Sequence, residues 1–189
     1  MIGMQLQLSR VLITGKRIYL RKFEVKDISD KYIFWLNDPQ VNKFLSTRSQ
    51  HQTYEVVKSY VELYQKKKNG LLLGIFLKEN EQHIGNLTLS HIDWENNFAV
   101  VGVCIGDKDY WKQGYGEEVL GCIKKLVFEK LRLNRLKAGV CEENVASVEL
   151  FKKSGFKIEK KWKTKLKIDD IYCNGLMMGL SKEDYENQF

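Results

Sequence analysis

Apolar and polar positions alternate over 17–23 ("RIYLRKF"), which predicts a strand with one buried face. The period then lengthens. Ile28, Tyr32 and Trp35 recur at helical spacing over 25–37, with Asp27 placed to cap the helix and "NDP" at 37–39 placed to stop it; Pro39 is the only proline. Val56, Val57, Tyr60, Val61 and Tyr64 share one face of a second helix over 53–68. Thr53 suits its N-cap, and Lys66 to Lys68 suit its negative C-terminal end. "LLLGIFLKE" (71–79) and "HIGNLTLSHID" (83–93) read as an antiparallel hairpin across the polar link "NEQ". "NNFAVVGVCIG" (96–106) reads as a third strand, too apolar to be exposed on either face. Val119, Leu120, Ile123, Val127 and Leu131 form a helical stripe over 117–131, and "RLKAGVC" (135–141) returns as a strand. A short helix over 146–155 ends at Gly155, which fits a left-handed cap, and "FKIEKKWKTKL" and "IYCNGLMMGL" finish as strands. The order is mixed α/β (α+β): antiparallel strands first, then strand, helix, strand, helix.

Composition narrows the class. With 189 residues and 43% hydrophobic content, the chain suits one domain over 1–189 with a real core. The net charge of +7 admits two readings: a lysine-rich soluble surface, or an anionic ligand such as a phosphorylated cofactor or nucleic acid. Four cysteines (Cys104, Cys122, Cys141, Cys173) are widely spaced without a C-x-x-C pair, which suits reduced, mostly buried thiols of a cytosolic protein better than a disulfide frame or zinc site. No basic-then-apolar leader and no apolar run of membrane-span length is present, so a cytoplasmic protein without membrane contact is expected.

The candidate chemistry sits at "YWKQGYGEEV" (110–119). A buried strand runs into a glycine turn that opens a helix. The first helical amides lack partners within the helix and carry partial positive charge. Glycines at 114 and 116 let a ligand approach the backbone, and Lys112 adds formal charge, so phosphate or pyrophosphate is the natural guest. The structural alternative is an ordinary strand–helix turn. G-x-x-x-x-G-K-[ST] and G-x-S-x-G are absent, and Val119 stands where a dinucleotide fingerprint needs glycine. His51, His83 and His91 are the only histidines, and no pair has helical metal spacing.

"DYWKQGYGEEVL" resembles motif A of the GNAT superfamily of acyl-CoA N-acyltransferases, with Trp111 at the Gln/Arg position and Gly114 and Gly116 at the glycine positions. "ENVASVELFKKSGFK" (143–157) resembles motif B of the Rim-type branch, the ribosomal-protein N-terminal acetyltransferases and their relatives. "RIYLRKFEVKD", "WLNDPQVNKFL" and "IDDIYCNGLMMGLSKEDY" are similar to that branch's opening and closing segments, so the likeness covers nearly the whole chain. It implies a central, mostly antiparallel twisted sheet of about six to seven strands, splayed at the cofactor site and flanked by about four helices. It also implies acetyl-CoA, with its pyrophosphate on the turn formed by Lys112, Gln113, Gly114, Tyr115, Gly116 and Glu117, beside Trp111. The pantetheine arm would lie along Val103, Cys104 and Ile105, with Asn144 and Phe151 on its other side. Asn before a helix is also an ordinary N-cap.

The implied reaction is direct attack of a primary amine on a thioester, and the leaving thiolate needs a proton. The family commonly uses a tyrosine of motif B for this. Phe151 stands there and cannot donate, so Ser147, one turn earlier, is the candidate acid; loss of the thiolate unaided or to water is the alternative. No general base stands out. His91, Asp93 and Glu95 lie near a strand end and could face the acceptor, but surface loop roles are the favoured reading for each. Cys141 raises a covalent intermediate, against which stand the family's direct route and a buried strand cysteine. The acceptor is a protein N-terminus or a small amine such as an amino sugar, polyamine or aminoglycoside, with Trp35, Asn37, Phe44, Arg48, Trp162 and Tyr172 as candidate walls. "IDDIY" hints at an acidic site, and the net charge hints at an anionic acceptor. The alternatives are a non-catalytic acyl-CoA sensor or scaffold and a nucleic-acid-binding protein; the lysines are spread along the chain, so no nucleic acid is expected. A monomer or homodimer is expected.

Overall fold

A computed structural model describes residues 12–168 and 171–188, and the side chains among them apart from those of 164–172. One sheet of eight strands runs in the order β1-β2-β3-β4-β5-β6-β8-β7. Its strands are β1 (Leu12–Thr14), β2 (Ile18–Lys22), β3 (Leu71–Leu77), β4 (His83–Asp93), β5 (Phe98–Ile105), β6 (Arg135–Cys141), β7 (Lys157–Ile168) and β8 (Ile171–Ser181). The helices are α1 (Asp30–Asn37), α2 (Pro39–Asn42), α3 (Tyr54–Lys66), α4 (Tyr115–Lys125), α5 (Val145–Lys153) and α6 (Lys182–Glu186). The architecture is the expected mixed α/β one, with more elements than expected. The extra strand is the short edge β1, and the extra helices, α2 and α6, span less than two turns each.

Period 2 explains why β3 is buried along its whole length. Leu71, Leu73, Ile75 and Leu77 join the core under α4 and α5, whereas Leu72 and Phe76 join Tyr32, Trp35, Val57 and Val61 under α1 and α3. The helical stripe of 117–131 is realised as α4 followed by a π turn over Leu126–Lys130. The wider turn is marked by Leu131 N–H donating to Leu126 O, and Leu126, Val127 and Phe128 are all buried there.

One boundary expectation is corrected. The first helix begins at Asp30, capped by Ser29, whose side chain accepts from Tyr32 N–H. Asp27 is occupied elsewhere, in a two-bond fork with Arg21 at 2.6 and 2.8 Å. The helix ends where "NDP" is expected to stop it, at Asn37, and Pro39 in addition opens α2, because Asp38 caps that helix and proline tolerates a first-turn position.

Neighbouring strands pair antiparallel except β5 and β6, which run parallel and touch only through Phe98–Arg135, Ala99–Leu136 and Val100–Lys137. Beyond Val100 they part. β5 stays on β4 as far as Ile105–Gly85, and β6 stays on β8 as far as Cys141–Gly175. The result is a wedge in the middle of the sheet. It also corrects the reading of β5 as fully buried: Ala99 and Val101 are buried, while Val103 to Ile105 are half-buried because they line the wedge.

Cysteine usage differs from expectation as well. Cys141 and Cys173 are joined by a disulfide between adjacent strands, with their Cα atoms 5.8 Å apart. Only the pairing of β6 with β8 brings these residues together, 32 positions apart in sequence. Thiol titration of the protein unfolded without reductant should therefore count two free cysteines, Cys104 and Cys122, and reductant should restore all four. Four thiols before reduction would remove the disulfide.

Candidate active site

The cofactor turn is built by the loop after β5. Asp107 is 4% exposed and gathers three donors: Lys31 Nζ at 2.6 Å, Gln82 Nε2 at 3.0 Å and Asp109 N–H at 3.2 Å. Lys108 Nζ reaches Asp38 Oδ2 at 2.7 Å, which ties the same loop to the N-cap of α2. Trp111 then closes back on the strand, its indole N–H donating to Ile105 O at 2.7 Å. This contact gives Trp111 a positioning role that motif spacing alone does not show.

Lys112 (φ 58°) and Gly114 (φ 81°) both lie in the left-handed region, and together they fold the chain sharply into α4. Gly114 is the N-cap and has no side chain to satisfy the helix amides. The main-chain N–H groups from Lys112 to Glu117 accordingly donate no hydrogen bond to another described residue. Gly116 serves packing as well as access. A Cβ there would lie 3.0 Å from Leu150, so its absence lets α5 close on α4.

Arg17 completes the turn from across the molecule, and sequence reasoning missed it. Its main-chain N–H and Nε donate to the two Glu118 oxygens at 2.6 and 2.9 Å, and its Nη1 donates to Gln113 O at 3.0 Å. Its guanidinium also stacks 4.0 Å from the Tyr115 ring centroid. Burial works against charge on Glu118, but the hydrogen bonds from Arg17 outweigh it and hold this carboxyl below the usual range. No local pattern announces an interaction with a partner 101 positions away.

The turn, the wedge and the helices α1 to α3 enclose one continuous cleft of about 1100 Å³. Val103, Cys104 and Ile105 line it from β5, and Trp111, Lys112, Gly114, Tyr115, Gly116 and Glu117 line it from the turn. Asn144, Ser147 and Phe151 line it from α5, so the sequence motifs do converge. Gln113 is the exception: it lies outside the lining and donates its side-chain amide to Asp109 O. Asn144 is the N-cap of α5, with Oδ1 accepting from Ser147 N–H at 3.2 Å. Phe151 is 3% exposed and packs edge-on against Phe156. Burial pushes the Cys104 thiol up to about 11, so it is protonated at neutral pH and is no nucleophile. Cys141 also lines the cleft, but its sulfur is committed to Cys173.

Of the other candidates, Trp35 and Phe44 line the cleft, whereas Asn37, Arg48 and Trp162 do not. Asn37 instead clamps the turn before α3, exchanging two hydrogen bonds with the Gln52 main chain at 2.8 and 2.9 Å. The Tyr172 side chain and the "DD" of "IDDIY" lie outside the described residues. His91, Asp93 and Glu95 fall away from the cleft; Asp93 holds a tight turn by accepting from Glu95 and Asn96. The half-buried His83 sits among Phe23, Tyr32, Trp35 and Phe76, and desolvation lowers it to about 4, so it stays neutral.

The profile of the Acetyltransferase (GNAT) domain matches residues 17–157. The chain is 28% identical over 178 residues to the uncharacterized N-acetyltransferase p20 of Bacillus licheniformis, covering 90% of this chain and 96% of that one. It is 25% identical over 181 residues to the probable N-acetyltransferase YjcK of Bacillus subtilis, covering 93% and 99%. Its fold matches the spermidine N-acetyltransferase of Vibrio cholerae in complex with CoA and spermine with a TM-score of 0.81 at 16% identity, over 90% of this chain and 99% of that one. It matches a GNAT-family acetyltransferase of Bacillus anthracis with a TM-score of 0.77 at 20% identity, over 92% and 99%. Among the described residues, no helix is long and apolar enough to cross a membrane. A glycine turn with unpartnered amides, set beside a parted pair of strands and matched by the family profile over most of the chain, makes this protein a member of the GNAT acetyltransferase family, an N-acetyltransferase that uses an acyl-CoA.

Proposed function

We propose that the acyl donor is acetyl-CoA and that a primary amine attacks it directly in the wedge between β5 and β6. The observation that carries this reading is the row of amides from Lys112 to Glu117, which have no partner among the described residues, in a turn that lines, Gln113 apart, a cleft running on into the wedge. Such a row, at the positive end of α4 and beside Lys112, fits a pyrophosphate. The bound donor supplies an activated thioester carbonyl.

The chain's own residues do the rest. On the side that β6 leaves beyond Val100, the main chain of Val103 to Ile105 offers strand-like pairing to an amide-containing arm, apart from the Ile105 carbonyl lone pair taken by Trp111. Asn144 retains its side-chain N–H groups after Oδ1 caps α5. Ser147 Oγ, on the first turn of α5 and in the cleft, is the proton donor to the departing thiolate, in place of the tyrosine that Phe151 excludes. Trp111 beside the glycines, together with the α5 motif, supports placement in the Rim-type branch.

Calorimetric titration of the purified protein with acetyl-CoA, coenzyme A and ATP tests the donor. Tight binding of the first two with weak ATP binding is expected. A folded protein that binds no acetyl-CoA would overturn the proposal.

A further inference from the structure

The loop that carries the donor turn is also fastened to the helices across the cleft from it. Gly106 and Asp107 leave β5 with their N–H groups both donating to Ile84 O, at 2.9 and 3.1 Å. Three contacts then reach α1 and α2. A Cβ on Gly106 would lie 2.3 Å from the Trp35 ring, so the indole rests directly on this main chain. Asp107 accepts at 2.6 Å from Lys31 Nζ, in the first turn of α1. Lys108 Nζ donates to Asp38 Oδ2 at 2.7 Å and to Gln40 Oε1 at 3.1 Å, where α1 ends and α2 begins. The two ion pairs are crossed: the loop supplies an acid and then a base, the helices a base and then an acid. Both carboxylates are buried and both lysines are exposed. All four charged residues stand behind the cleft, outside its lining. The same helices line it through Trp35, Leu36, Gln40 and Val41, and the same loop through Tyr110 and Trp111.

We propose that Lys31 and Lys108 are positioning residues that join the loop after β5 and the α1–α2 wall into one body, so that a donor bound at the turn also orders the wall that holds the amine. The inference rests on the donor reading above and adds an order of binding, donor before amine. α2 has four residues, too few to be stable alone. Tyr32 and Trp35 anchor the middle of α1 in the core, and the ion pairs fix its first turn and its junction with α2. Opening of this wall breaks the pairs with the loop and leaves buried carboxylates short of a partner. A pyrophosphate held by the amides from Lys112 to Glu117 restrains the loop and, through the pairs, opposes that opening. The coupling is reciprocal, so an amine seated on the wall tightens the donor. It also fixes the distance between amine and thioester, to which the rate of attack is steeply sensitive.

Hydrogen–deuterium exchange on the whole protein tests this, with and without coenzyme A at about 100 times its Kd. Linkage then slows openings that release the ligand by up to about 100-fold. Slowing of at least about fivefold is expected both in peptides covering the turn (108–120) and in those covering the wall (30–42). The double substitution Lys31→Met with Lys108→Met, saturated to the same extent by calorimetry and folded by circular dichroism, should keep the slowing in the turn and lose it in the wall. Lys31→Arg with Lys108→Arg should restore it. The readout is the ratio of rates with and without coenzyme A, because a lysine that merely stabilised the helices would change both states alike. If the double methionine variant does not fold, Lys108→Met alone carries the comparison. Slowing confined to the turn of the unmodified protein overturns the inference and leaves the donor reading standing. So does slowing of the wall that survives in the methionine variant, since the donor would then touch the wall directly. Loss of coenzyme A binding by the folded variant would make the lysines donor ligands and overturns it too. Absence of coenzyme A binding by the unmodified protein fails both readings.

Discussion

Gly114→Asp is expected to weaken coenzyme A binding by at least about 100-fold, equal to about 2.7 kcal/mol. Two effects add. Gly114 sits at φ 81°, where a side chain is strained, although the space itself is open: the nearest atom to a new Cβ is Arg17 Nη2 at 3.6 Å. The larger effect is electrostatic. A carboxylate at the N-cap would take up the amides of α4 and repel a pyrophosphate from the same place. Gly114→Asn separates the two, since asparagine tolerates left-handed backbone and carries no charge. Calorimetry on both variants, with circular dichroism to confirm folding, should rank wild type above Asn and Asn above Asp. Equal affinities for all three would remove the pyrophosphate from this turn.

Ser147→Ala should lower kcat about 100-fold, the lower range for loss of a positioned proton donor, with acetyl-CoA affinity near wild type. The cap of α5 survives the change, because Asn144 Oδ1 accepts from the Ser147 main-chain N–H and not from its hydroxyl. The variant therefore removes the oxygen without unravelling the helix that presents it. Steady-state kinetics with an amine that the protein acetylates, across pH, read the effect. A rate that does not change would show that the thiolate leaves unaided.

Much of this molecule is legible in its sequence because its long elements keep one period throughout. The strands of 71–93 and the helix of 53–68 appear where alternation and the Thr53 cap place them, and Thr53 does accept from Val56 N–H. What the sequence hides is competition between partners. Asp27 is a sound cap residue until Arg21 claims it, and Ser29 then caps α1. The two strand cysteines look inert until β8 inserts between β6 and β7. The site follows the same rule. Glycine spacing and the α5 motif pointed to Gly114, Gly116, Asn144 and Ser147, all of which line the cleft. Arg17 and Asp107 escaped notice because their partners are remote: Glu118 for the first, Lys31 and Gln82 for the second. Gln113 looked like part of the turn's binding face because local spacing cannot tell which way a turn residue points.

The narrow contact between β5 and β6 gives the fold an unusual mechanical character. Three residue pairs are all that join the slab β1 to β5 with the slab β6 to β8 inside the sheet. A donor lying in the wedge would pair along β5 and touch α5 behind β6, and so act as a removable rivet across that seam. It would add stability to that seam by linkage, over and above the one buried core that runs beneath both slabs.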